Sequence, residues 1–166
     1  MEGFTCSRCG EFHEEFPLCF GAEFPDFYFS VPSEERASRV ELTESLCVVD
    51  EAHFFIRGRI EIPIIGSDEL FCWNVWTSVS EQNFIRVNEQ WNDERRGEEP
   101  AYFGWLQTQL PGYADTLNIK TMAHTQAVGI IPRIELIEEG HALTLEQQTG
   151  ITWQRVTELV EFVMHG

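Results

Sequence analysis

From Phe54 to Ile65 the chain alternates in a way that only an extended strand satisfies. Phe54, Ile56, Gly58, Ile60, Ile62 and Ile64 fall on one side; Phe55, Arg57, Arg59 and Glu61 fall on the other. A period of two over this length predicts a long strand with one apolar face buried. Leu70 to Val79, rich in Trp, Phe and Val, predicts a second strand beside it. A chain that carries such a pair must cover a wide apolar sheet face, so the rest of the sequence is read as its cover.

Leu46-Cys47-Val48-Val49 predicts a short strand, and Asp50-Glu51-Ala52-His53 a turn into the long one. Ser33, followed by Glu34 and Glu35, predicts a capped short helix over about 33–43. Ser80 predicts a helix cap, with Phe84, Val87 and Trp91 at helical spacing to about Asn92. Arg95 to Pro100 reads as a polar loop, and Leu110-Pro111-Gly112-Tyr113 as a turn. Tyr102–Thr108, Leu117–His124 and Ile130–Ile137 read as strands, with Pro132 marking an edge or a bulge. Thr152 caps a last helix to about Met164, striped by Val156, Leu159, Val160 and Val163. Grouped strands with peripheral helices predict an α+β fold with a largely antiparallel sheet. The 166 residues read as a single domain, 1–166.

Asp and Glu number 28 against 11 Lys and Arg, a net charge of −17 spread along the whole chain. That balance argues against coating nucleic acid. No apolar run approaches a membrane span, and Met1 to Cys6 lacks the plan of a secretory signal, so a soluble cytoplasmic protein is expected. All but one of the bases are Arg, Lys120 being the exception. Arg suits fixed, planar pairing with carboxylates.

Residues 1–32 are irregular, with Pro17, Pro25 and Pro32 among aromatics. They contain Cys6-Ser7-Arg8-Cys9-Gly10, followed by His13. Two thiolates at this spacing can grip one zinc ion from a tight turn, and His13 is near enough in sequence to join them. A closed site needs a fourth ligand, for which Cys47 and Cys19 are candidates. Cys72, between Phe71 and Trp73, reads as a small buried hydrophobe. His53, His124, His141 and His165 form no paired ligand motif, and no nucleophile elbow, phosphate loop or dinucleotide fingerprint is present. If the polar sides of the two long strands coincide, Arg57 and Trp76 form a small pocket with an aromatic wall.

Read together, several segments resemble one family. They are Cys6 to Gly10 with His13, Phe54 to Pro63, Trp73 to Ser80, Phe103-Gly104-Trp105-Leu106, Leu110 to Tyr113, Glu146-Gln147-Gln148 and Gly150-Ile151-Thr152. The chain is similar, over nearly its whole length, to an uncharacterised bacterial family catalogued as domain of unknown function 2199. The resemblance implies a bacterial, cytoplasmic protein and no assigned activity. Cys47 looks like part of the family pattern, whereas Cys19 and Cys72 do not, which tilts the fourth ligand to Cys47. The expectation is one structural zinc on Cys6, Cys9, His13 and Cys47, docking a zinc-knuckle-like segment (1–32) on the sheet.

Two functions are expected from this reading. One is an interaction module whose acidic surface steers a basic protein partner. The other is a small-molecule-binding protein or enzyme, in which Arg57 clamps an anionic group and Trp76 stacks on a planar one.

Overall fold

The long alternating segment and its Trp-rich neighbour pair with each other over their whole lengths. In the computed structural model, which describes residues 4–5, 12–13 and 17–165, they are β6 (His53–Pro63) and β7 (Leu70–Val79). They run antiparallel from Phe54↔Val79 to Pro63↔Leu70. The turn into β6 puts Asp50 and Glu51 in the left-handed region, φ 55° for each.

Three later strands continue the sheet: β8 (Tyr102–Leu106), β9 (Lys120–His124) and β10 (Arg133–Leu136). β7, β8, β9 and β10 pair antiparallel in succession. β10 then returns to β6 in parallel, Arg133↔Arg59. β6 to β10 therefore close into a five-stranded barrel, which the expectation of a largely antiparallel sheet did not include. Closure removes exposed edges from the core strands. Two glycines permit it. A Cβ on Gly58 would lie 2.5 Å from the Ile134 side chain, and one on Gly104 would lie 2.2 Å from the Ser78 carbonyl.

The apolar side of β6 fills the barrel. Ile56, Ile60 and Ile62 pack with Phe71, Trp73 and Val75 of β7 and with Ala123, Ile134 and Leu136. The Thr77 and Thr121 hydroxyls bond to each other inside it at 2.7 Å. Of the helices, α2 (Glu81–Glu89) is capped by Ser80, whose Oγ accepts from the Asn83 N–H, as its sequence predicts. Its Phe84 packs on Phe54, ring centroids 5.2 Å apart. The last helix, α4 (Trp153–His165), buries the expected Val156, Leu159 and Val160. It is preceded by α3 (Ala142–Thr149), which the sequence reading missed because its cap is a histidine: His141 Nδ1 accepts from the Leu143 N–H.

Extra strands flank the barrel. β3 (Cys19–Gly21) runs parallel to β7, while β4 (Val40–Leu42) and β5 (Leu46–Val49) extend beyond β6. The helix expected over 33–43 is a 3₁₀ turn, Ser33–Glu35, and one α turn, α1 (Arg36–Arg39), before the chain extends into β4. Ser33 makes no cap bond. Val40 and Leu42 alternate on a strand because Val49 and Cys47 offer them paired edge positions. Near the N-terminus, β1 (Phe4–Thr5) pairs antiparallel with β2 (Phe12–His13).

The segment between β3 and β4 covers part of the outer sheet face. Phe27, Val31 and Val40 pack over Cys47, Val49, Phe55 and Trp76, forming a second, smaller core. Arg57, Arg59, Glu61, Cys72 and Asn74 continue that outer face beyond this cover.

Candidate functional site: an arginine cleft where two strands part

β5 and β10 share one edge of β6, and they part at Arg57 and Gly58. The Arg57 N–H donates to Ser45 O at 2.9 Å; two residues on, the Arg59 N–H donates to Pro132 O at 2.8 Å. Pro132 has no N–H to give back, so the β10 ladder starts only after it. The parting leaves a recess of about 80 Å³, walled by Leu46, Ile56, Val87, Trp91, Tyr102 and Ile130. It opens beside Arg57 onto a wider groove of about 510 Å³, which holds Arg59, Asn74 and Arg133.

The charge around this cleft runs against the −17 of the chain. Elsewhere four arginines are paired with acids: Arg39 with Asp50 at 2.7 Å, Arg86 with Glu99 at 2.7 Å, Arg95 with Glu98 at 3.1 Å and Arg155 with Glu146 at 2.9 Å. Arg57, Arg59 and Arg133 have no carboxylate partner among the described residues. Arg59 Nε donates to Asn74 Oδ1 at 3.1 Å. Arg57 Nε is buried and has no hydrogen-bond partner among the described residues. A buried charged donor left unmatched is costly, and an incoming acceptor would satisfy it. Glu44 and Glu61 also line the outer groove.

Arg96 holds the far wall. Only 6% exposed, its guanidinium donates to the carbonyls of Trp91, Gln126, Ala127 and Ile130 at 2.8–3.1 Å. It thereby ties the end of α2 to the loop before β10 with no acid involved. Glu99, the acid of this wall, accepts from Arg86 and from the Tyr102 hydroxyl. The Arg86 guanidinium holds its carboxyl below the usual range.

Of the expected pair, the structure brings Arg57 to the cleft and leaves Trp76 out. The two are direct cross-strand partners, so their sides do coincide. Trp76 is nevertheless 0% exposed beneath Phe27 and Val31, and its Nε1 donates to Ala22 O at 3.1 Å. The exposed aromatic of the cleft is Trp91, 39% exposed, with the Arg96 guanidinium 5.5 Å from its ring. Sequence reading saw Trp91 only as a member of a helical stripe and Arg95 to Pro100 only as a loop. Nothing local marks Arg96, whose carbonyl partners lie up to 34 residues away.

Of the expected metal ligands, Cys6, Cys9 and the His13 side chain lie outside the described residues. Cys47 is fully buried in the smaller core, where loss of solvent pushes its thiol up to about 11. Among the described residues, no group of three His, Cys, Asp or Glu side chains could hold a metal ion. Cys72 is half-buried on the outer face opposite Glu61, a correction to its reading as a buried hydrophobe. The other histidines have local roles: His141 caps α3, and His124 Nε2 lies 2.9 Å from Glu135.

No helix among the described residues is long and apolar enough to cross a membrane. Neither a search of curated proteins nor one of solved structures found a match. The family model for an uncharacterised protein conserved in bacteria, DUF2199, matches residues 5–151, a span that takes in the barrel, the arginine cleft and α3; the chain belongs to that family.

Proposed function

We propose that the cleft binds a small anionic molecule with an apolar or aromatic portion. The unmatched, buried Nε of Arg57 carries this reading. A carboxylate or phosphate at Arg57 would take up that donor, with Arg59 and Arg133 adding charge and Trp91 and Tyr102 flanking an apolar body.

The test is calorimetric titration with paired probes: benzoate against acetate, and phenyl phosphate against inorganic phosphate. The aromatic member of a pair should bind at least about tenfold tighter, and Arg57→Met should abolish that binding while leaving the fold intact. Retention of binding by a folded Arg57→Met protein would remove this site.

A second reading is an interaction module for a basic protein partner, favoured by the 28 acids of the surface-rich, acidic chain. Capture of a basic partner at low salt and its release at high salt would support it. We further propose a structural zinc in the N-terminal segment, on Cys6, Cys9, His13 and Cys47. We assign the protein to the bacterial cytoplasm, an assignment supported by an odd count of five cysteines, which suits a compartment that keeps thiols reduced.

A further inference from the structure

Cys19 and Cys72 stand opposite each other on neighbouring parallel strands. β3 pairs with β7 in the register Cys19↔Cys72, Phe20↔Trp73, Gly21↔Asn74. Directly paired residues of two strands project to the same face, and adjacent strands lie about 4.8 Å apart. That separation falls within the Cα range of about 4.4–6.8 Å over which a disulfide can form. β3 is held hard against β7: the Cys72 N–H donates to Leu18 O at 2.7 Å, and a Cβ on Gly21 would meet Asn74 Cβ at 2.4 Å. Both thiols are free, Cys19 exposed and Cys72 half-buried.

We propose that Cys19 and Cys72 form a reversible dithiol–disulfide pair, oxidised by peroxides and reduced by thiols. The roles follow from their surroundings. Burial first, then the neighbouring Cys19, push the Cys72 thiol up to about 11, so at neutral pH it stays protonated. Cys19 is the exposed member and meets the oxidant. Its thiol gives up a proton, the sulfur attacks a peroxide oxygen, the O–O bond breaks and Cys19 becomes a sulfenic acid; the hydroxide that leaves takes up that proton as water. The Cys72 sulfur then attacks the Cys19 sulfur, the S–O bond breaks, and the thiol proton leaves with hydroxide as a second water. In sum, two thiols and one hydrogen peroxide give one disulfide and two waters. Two equivalents of an external thiol reverse the change by exchange. The pair adjoins the arginine cleft, because Cys72 faces Glu61 and Gly21 faces Asn74, the partner of Arg59. Closing the bond would fix β3 to the strand that carries Asn74.

Peptide mapping of the full-length protein after mild hydrogen peroxide is the test, with alkylation under non-reducing conditions. The expected product is one cross-linked pair containing Cys19 and Cys72, about 2 Da below the sum of the two free peptides and abolished by dithiothreitol. In Cys72→Ser the same peroxide dose should carry Cys19 on to sulfinic acid. Three results would overturn the proposal. Cys19 is over-oxidised in the parent protein while Cys72 stays alkylatable; Cys19 is linked to Cys6 or Cys9 instead; or Cys19 becomes alkylatable only after a zinc chelator is added, which would make it a metal ligand.

Discussion

Arg57 and Trp76 face each other across the β6–β7 ladder, yet one is sealed and the other opens onto the cleft. The difference comes from what lies over them. Phe27 and Val31 cap Trp76, and the Ala22 carbonyl accepts its ring N–H. Arg57 stands where β5 has ended and β10 has not begun, so on the edge of β6 away from β7 no strand lies beside it. One register pair thus belongs both to a packed core and to the wall of the cleft.

Arg96 is predicted to be the structural key of that cleft. Replacing it by Met removes four hydrogen bonds at once and leaves the carbonyls of Trp91, Gln126, Ala127 and Ile130 without their shared donor. Arg96→Met should cost about 3 kcal/mol or more in denaturant unfolding. Arg96→Lys should recover only part of this, since a point charge cannot reach four acceptors arranged for a planar fork. A loss below about 0.5 kcal/mol would mean that the loop holds itself without Arg96.

What the sequence made legible was what periodicity records. The faces of β6 and β7 are those expected, and so are the Ser80 cap and the buried stripe of α4. Closure was not legible. It depends on Gly58 and Gly104, and a glycine in an alternating run says only that no side chain is there, not which strand will fill the space. Arg57 is legible because alternation sets it on the polar side of its strand, opposite Trp76, whereas Arg96 is not, because its partners are backbone atoms distant in sequence. Trp76 was misassigned because alternation gives its face but not the segment that covers it.

Gly58→Ala tests the barrel seam. The new methyl would enter space held by the Ile134 side chain at 2.5 Å and by Pro132 O at 3.0 Å. Overpacking of this kind costs about 1–3 kcal/mol. Because Pro132 borders the cleft, the substitution should also weaken anion binding. Adding Ile134→Val should restore part of the stability, and a double-mutant cycle would give the coupling. Strict additivity of the two changes would show that the methyl is accommodated elsewhere.

Glu99 and Asp50 should shape the acid limb of the stability profile. Arg86 lowers the Glu99 pKa from 4.5, and Arg39 lowers that of Asp50 from 3.8. For a carboxyl depressed by folding, the stabilisation is complete above the unfolded pKa and is lost as pH falls through it toward the folded value. Stability should therefore fall between about pH 5 and pH 3, and Glu99→Gln should flatten that fall. An unchanged slope in Glu99→Gln would assign the acid sensitivity to other carboxyls. Above pH 6 the two proteins should differ by a constant offset.

The proposed zinc can be tested through the protons that its ligands release. Protein purified without added metal or chelator should contain about one zinc per chain, and less than about 0.2 would exclude the site. Cys47 is the demanding ligand. In its apolar surroundings the thiol sits at about 11, so the metal must displace its proton at neutral pH. Zinc returned to the apo protein at pH 7 should release about three protons, from Cys6, Cys9 and Cys47, against about two in Cys47→Ala. That substitution is mild for packing, because Cys47 sits among apolar residues of the smaller core and Ala keeps most of that contact. A change in zinc retention therefore reports ligation and not collapse of the smaller core. If Cys47→Ala holds zinc as firmly as the parent and releases the same number of protons, the fourth ligand lies elsewhere, and Val31, Phe55 and Trp76 enclose Cys47 for packing alone.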